Sequence, residues 1–252
     1  MIEGLDVFRA HFADFTDQYV LIGGAACDLW FEEAAVDFRA TRDLDLVLTL
    51  ETEAPAFGRR FWEFVRDGGY ESFIQTDGKM RFFRFLRPKT PGFPSMLELF
   101  SQNAIEGMAA DQRITPLPLG DDISSLSAIL LNADYIELLH QGRGVVSGIS
   151  VLSAPCLIPF KARAWLDLTA RKAAGERVDG DDIRKHRNDI LRLVTLLREH
   201  ETVALPQGVK HDMTAFLEAL ETTPPDRSAL KTFGLGTLTF PEILQILRAT
   251  YL

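Results

Sequence analysis

The stretch Tyr19-Val-Leu-Ile-Gly-Gly-Ala-Ala-Cys-Asp-Leu-Trp30, followed by Thr41-Arg-Asp-Leu-Asp-Leu-Val-Leu48, decides the reading of this chain. A short apolar run of strand character enters a Gly-Gly turn and then a helical segment. The second piece reads as a strand carrying acids at i and i+2. Successive strand side chains point to opposite faces, so Asp43 and Asp45 share one face while Leu44, Leu46 and Leu48 share the other. Carboxylates on a strand of Leu and Val are costly unless they are solvated or met by cations. An edge strand whose polar face meets water fits this pattern, and so does a cation site. Hard oxygen ligands suit Mg²⁺, which commonly takes one or two carboxylates plus substrate phosphates. Gly23 and Gly24 lack Cβ atoms, so their backbone N–H groups can approach phosphate oxygens closely, helped by the positive end of the helix that follows. The same pair also serves as an ordinary strand-to-helix turn.

Outward from this stretch, Leu5, Phe8, Phe12 and Phe15 form the apolar stripe of a helix over 5–17. A strand over 19–22, a helix from Ala25 to about Ala35 and a strand over 43–50 follow. A helix runs from Pro55 to Asp67, where Gly68-Gly69 ends it. Asp77-Gly78-Lys79 is a hairpin-turn signal between strands 72–76 and 80–86. The loop Pro88–Pro94 leads to a strand over 95–101. Beyond a short segment at 145–152 the periodicity is helical, with helices over 155–174, 181–200, 209–221 and 239–251. The expected class is α+β: a mixed sheet with flanking helices over residues 1–153, then a helical domain over 154–252.

The bulk properties narrow the function classes. Apolar residues make up 46% and charged residues 25% of 252 residues, an ordinary globular balance. No apolar run reaches the length of a membrane span, and the acidic N-terminus lacks the pattern of a secretory signal. Cys27 and Cys156 are too few and too far apart for a metal knuckle or a disulfide framework, which points to a reducing cytoplasm. The net charge of −9 argues against broad coating of nucleic acid. Local clusters such as Arg81, Arg84, Arg87 and Lys89 still permit a basic cleft. Trp30, Trp62 and Trp165 read as core anchors.

Further chemistry-bearing residues interrupt apolar context. Glu98 stands in Met96-Leu-Glu-Leu-Phe100, and pairing of that strand near 43–50 would complete a three-carboxylate cluster able to hold two ions and to activate a hydroxyl. Lys161 stands in Leu157-Ile-Pro-Phe-Lys-Ala-Arg-Ala-Trp-Leu166. It either snorkels or delivers its charge into a cleft. Asp181 and Asp182 open the helix Asp181-Asp-Ile-Arg-Lys-His-Arg-Asn-Asp-Ile190, where acids favour a first turn.

Taken together, Gly23-Gly24, Asp43-Leu-Asp45 and Glu98 resemble the nucleotidyltransferase superfamily of the DNA polymerase β type. The Lys161 helix and the Asp182-Ile…Lys185-His…Asp189-Ile segment are similar to its abortive-infection branch, which includes the AbiEii-like toxins of AbiE-type toxin–antitoxin systems. The matches span residues 19–200. The resemblance implies phosphate contact at Gly23 and Gly24, metal ligation by Asp43 and Asp45 with Glu98 as third acid, contact of Lys161 with nucleotide phosphates, and a site role for Asp182. It implies Mg²⁺, as many as two ions, and transfer of a nucleoside monophosphate from an NTP to a hydroxyl on tRNA or another RNA, a protein or a small molecule. A cognate antitoxin is the implied protein partner. Ala25 departs from the pattern, because a hydroxyl residue often follows the glycines. That departure keeps a second reading open: a nucleotide-binding or regulatory module of the same fold that performs no transfer.

Overall fold

The computed structural model describes residues 2–49, 55–77, 80–101, 129–130 and 132–252. It divides into two compact units. The first joins the described residues of 2–101 to Arg143–Ser153, and the second joins those of 129–142 to Ala154–Leu252. The second unit therefore takes in a helix that precedes the last two strands in sequence.

The first unit contains α1 (Leu5–His11), β1 (Tyr19–Ile22), α2 (Gly23–Glu33), β2 (Asp43–Leu48), α3 (Pro55–Gly68), β3 (Glu71–Asp77), β4 (Met80–Leu86), β5 (Met96–Ser101), β6 (Arg143–Val146) and β7 (Ile149–Leu152). The described strands form a seven-stranded mixed sheet in the order β3-β4-β5-β2-β1-β7-β6. β2 thus lies inside the sheet, parallel to β5 on one side and antiparallel to β1 on the other. This corrects the edge-strand explanation of its acids. The β3–β4 hairpin forms as its turn signal predicts, although Gly78 and Lys79 lie outside the described residues. The short segment over 145–152, to which the sequence assigns no element, belongs to a second hairpin formed by β6 and β7. Ser147 and Gly148 both take positive φ, 48° and 78°, as a tight primed turn requires.

Period-two alternation separates the two faces of the sheet. Leu44, Leu46, Leu97, Leu99 and Phe85 are buried on one face. There Phe8, Phe12, Phe61 and Phe64 of the α1 and α3 region meet Tyr19 and Phe85 in a cluster of ring contacts, including an edge-on Phe8–Tyr19 pair at 5.4 Å. Rings of this size supply most of the hydrophobic stabilisation a small core needs. The opposite face carries the acids. α1 stops at His11 and a 3-10 turn completes the predicted stripe.

The second unit is helical: α4 (Ala133–Gln141), α5 (Ala154–Ala173), α6 (Gly180–Leu193), α7 (Gln207–Thr222), α8 (Arg227–Thr232) and α9 (Phe240–Tyr251). α4 and α8 are additions to the sequence reading. α4 is short but capped by Asn132, whose side chain accepts from Asp134 N, and it buries Tyr135, Leu138 and Leu139. α6 ends sooner than periodicity predicts. A 3-10 turn follows to Leu196, and Val203 N then donates to the carbonyl of Thr250, so tertiary pairing takes over the chain. Pro159 sits inside α5 and cannot donate to the carbonyl four residues earlier. That carbonyl, Pro155 O, instead accepts from the buried Tyr251 hydroxyl at 2.7 Å, which closes α9 onto α5. Cys27 and Cys156 are buried thiols, and Trp62 and Trp165 are buried as core anchors. Trp30 is half-buried and donates its indole N–H to Leu152 O at 2.8 Å. Among the described residues no helix is long and apolar enough to cross a membrane.

Candidate active site

The register of β2 on β5 pairs Asp43 with Met96 and Asp45 with Glu98. The register of β4 on β5 pairs Arg84 with Glu98. Directly paired residues share a face, so Asp45, Glu98 and Arg84 form a row across three strands, and Asp43 joins them from two residues earlier on β2. The predicted convergence of Glu98 with the two aspartates on one sheet face is therefore a consequence of strand pairing.

Burial then sets their electrostatics. Glu98 is only 6% exposed, whereas Asp43 and Asp45 are half-exposed. Arg84 donates to Glu98 Oε1 from Nε at 2.8 Å and from Nη2 at 2.6 Å. Burial nevertheless pushes the Glu98 carboxyl above its ordinary range, against the lowering effects of a hydrogen bond with Asp45 and of Arg84, while Asp43 adds a further upward push. Carboxylates in such contact demand a proton or a cation between them. In the sequence Arg84 stands as one of a run of bases. Its role was hidden because it depends on hairpin register, which places it opposite Glu98. Among the described residues no group of three or more His, Cys, Asp or Glu side chains is gathered closely enough to hold an ion by itself.

The glycine pair abuts this row. Ile22, the last residue of β1, pairs with Asp45, and α2 starts at the next residue. The N-cap residue, Ile22, offers no capping oxygen, and the helix start presents its positive end on the side of Asp45. Gly23 has φ +70°, and a Cβ there would overlap the Asp45 carboxylate. Gly23 is thus demanded twice, by its left-handed backbone and by the acid packed against it. At Gly24 a Cβ would lie 2.8 Å from Thr41 Oγ1 and 3.3 Å from Arg39 Nη2. Sequence reading missed Thr41 and Arg39 as site residues, since the loop before β2 has no periodicity to place them.

Gly23→Ala is accordingly expected to lose about 2 kcal/mol of stability from the left-handed backbone alone, and to displace Asp45 as well. Thermal denaturation of the variant checks this; an unchanged midpoint would refute the packing described.

Lys161 and Asp182 belong to the helical unit. Lys161 does not snorkel. Its side chain is buried and Nζ donates to the buried Asp189 Oδ2 at 2.8 Å. Asp189 stands in the Asp182–Ile190 stretch, whose spacing does not show that α5 and α6 face each other at this point. Asp182 is half-buried in the first turn of α6, beside Asp181, which pairs with Arg184. Asp179 caps the helix by accepting from Asp181 N at 2.9 Å.

Comparison with solved structures finds several similar chains. An antigenic nucleotidyltransferase-like protein from Paracoccidioides brasiliensis is 16% identical with a TM-score of 0.48, covering 98% of this chain and 93% of that one. MenT4, a nucleotidyltransferase toxin from Mycobacterium tuberculosis H37Rv, is 16% identical with a TM-score of 0.26, covering 97% and 91%. No family model matches the sequence, and no curated protein matches it.

Proposed function

We propose that the first unit is a Mg²⁺-dependent nucleotidyltransferase, moving a nucleoside monophosphate from an NTP to an acceptor hydroxyl. The observation that carries this reading is the row Asp45–Glu98–Arg84, with Asp43 beside it, at the start of α2. Acids on one face supply a cation site, and a helix start supplies an anion site. A metal–triphosphate complex needs both together.

The donor set fits Mg²⁺. Asp43 and Asp45, half-exposed on one face, offer hard oxygens, and Mg²⁺ completes its shell with water and substrate phosphates rather than with a protein cage. Arg84 holds Glu98, so two aspartates and the phosphates suffice for one ion. When bound, Mg²⁺ neutralises phosphate charge and polarises the reacting phosphoryl group. The chain's own groups do the remainder. N–H groups at the α2 start bind phosphate oxygens. Thr41 and Arg39, brought against Gly24, add a hydroxyl and a guanidinium there. Thr41 thereby provides the hydroxyl that Ala25 lacks. The acceptor oxygen bonds to the α-phosphorus as the bond to the β-phosphate oxygen breaks, and pyrophosphate leaves. The hydroxyl proton passes to the carboxylate row, with Glu98, buried beside Asp45, as the receiving base. Arg84 orients it.

Incubation with each α-³²P-labelled NTP, with and without Mg²⁺, against total RNA, protein and small-molecule acceptors tests the proposal. Metal-dependent transfer of label to one acceptor class is expected. Metal-dependent NTP binding by calorimetry without any transfer would instead favour the non-catalytic module.

A further inference from the structure

One face of α2 carries Gly24, Asp28 and Phe31, spaced at i, i+4 and i+7. The chain turns back along that face as soon as the helix ends. Val36 N donates to Phe31 O at 2.9 Å and Ala35 N to Glu32 O at 3.0 Å, the bond pair of a Schellman stop. Ala35, at φ 55°, takes the left-handed place that glycine usually fills. Phe38 then stacks on the buried Phe31, with ring centroids 4.9 Å apart and an interplanar angle of 18°. Arg39, the next residue, holds its guanidinium carbon 5.2 Å from the Phe38 ring centroid, within reach of a cation–π attraction. From that ring it extends toward the start of the helix, where Nη2 stands 3.3 Å from the place a Gly24 Cβ would occupy. Asp28 lies between the two ends of this face. Burial pushes its carboxyl above the ordinary range, and the Arg39 charge works against that shift. An aromatic ring at one end and a carboxylate midway thus hold one guanidinium at the start of α2.

The glycine pair gives this placement a direction. Gly23 packs against the Asp45 carboxylate, and Gly24, one residue on, packs against Thr41 and Arg39. Transfer requires the α-phosphorus beside the metal-ligating acids and Glu98. The β- and γ-phosphates then run away from Asp45 and toward Arg39. We propose that Phe38 is a positioning residue, which aims Arg39 at the two phosphates that leave as pyrophosphate. The aim rests on the transfer reading, since only transfer makes those phosphates leave. As the acceptor oxygen bonds to the α-phosphorus and the bond to the β-phosphate oxygen breaks, negative charge gathers on the departing oxygen. A guanidinium already in place meets that charge without reorganisation. An arginine with no ring to lie on gives up more side-chain freedom to reach the same position.

Isothermal titration in Mg²⁺ with each of the four NTPs, and separately with pyrophosphate, tests the role of Phe38. Phe38→Leu keeps apolar bulk over Phe31 but removes the ring beside the guanidinium. It is expected to weaken NTP and pyrophosphate alike by about tenfold, the scale of one charge-assisted hydrogen bond. Arg39→Gln should lose at least as much. Adding Phe38→Leu to it should bring no further loss, because both changes remove the same contact. Phe38→Tyr restores a ring and is expected to bind as the wild type does. A Phe38 that only packs the loop would lower the melting temperature in Phe38→Leu and leave both affinities unchanged, or would weaken binding further when added to Arg39→Gln. Either result overturns the proposal, as does a loss in Phe38→Tyr equal to that in Phe38→Leu. A wild type that binds neither NTP nor pyrophosphate brings down the transfer reading and the positioning role together. A wild type that binds both, beside a Phe38→Leu variant that binds as tightly, brings down the positioning role alone.

Discussion

Asp45→Asn is expected to lower nucleotide transfer by about 10³-fold, because a ligand to a metal that stabilises phosphoryl charge contributes several kcal/mol to the transition state. The fold should not suffer. Asp45 is paired in register with Glu98, which is 6% exposed and already raised in pKa by burial. Replacing one carboxylate of that contact by an amide of the same shape removes repulsion and leaves a donor for Glu98. The melting temperature is therefore expected to hold or rise while Mg²⁺-dependent NTP binding and transfer fall together. Loss of activity with gain of stability marks a residue kept for chemistry. If Asp45→Asn transfers at the wild-type rate, the metal site lies elsewhere and the proposed reaction at this sheet face is wrong.

The second large effect concerns stability. The sequence alone leaves Lys161 either snorkelling, and so removable at little cost, or acting in a cleft. In the structure it is 5% exposed and its partner Asp189 is 1% exposed, with 2.8 Å between Nζ and Oδ2. Breaking a buried pair from one side leaves an uncompensated charge and typically costs about 3–5 kcal/mol. Lys161→Met is expected to lose that much, a lowering of roughly 6–20 °C for a chain of this size. The double variant Lys161→Met/Asp189→Leu should recover to within about 1 kcal/mol of the wild type, since apolar residues of similar volume replace such pairs without penalty. Differential scanning calorimetry on the four members of this cycle gives the coupling directly. A Lys161→Met variant as stable as the wild type would show that the pair is not structural. Because this variant loses stability, a drop in its activity says nothing by itself about contact with a nucleotide.

Local pattern carried much of the fold. Alternation placed Asp43 and Asp45 opposite Leu44 and Leu46, the Asp-Gly signal placed the β3–β4 hairpin, and apolar periodicity found α5, α7 and α9 to within two residues of their bounds. These features are legible because each depends on neighbours in the chain, through side-chain period and turn chemistry. Short elements were harder. α4 spans nine residues and rests on an Asn132 cap and three buried side chains, too little periodicity to stand out.

The inventory of the site is written in the sequence: a glycine pair before a helix, two acids on one strand face, and a third acid on another strand. How these are used follows from long-range packing. Insertion of β2 between β1 and β5 removed the solvated-edge explanation, and the register of β5 and β4 brought Glu98 to Asp45 and Arg84 to Glu98. Contact with Asp45 at Gly23, with Thr41 at Gly24 and between Lys161 and Asp189 likewise depends on long-range packing. The physical reason is that strand register and helix facing are set by burying whole faces at once. A residue's partner across such an interface is fixed by that collective fit, and its own spacing in the chain holds no record of it.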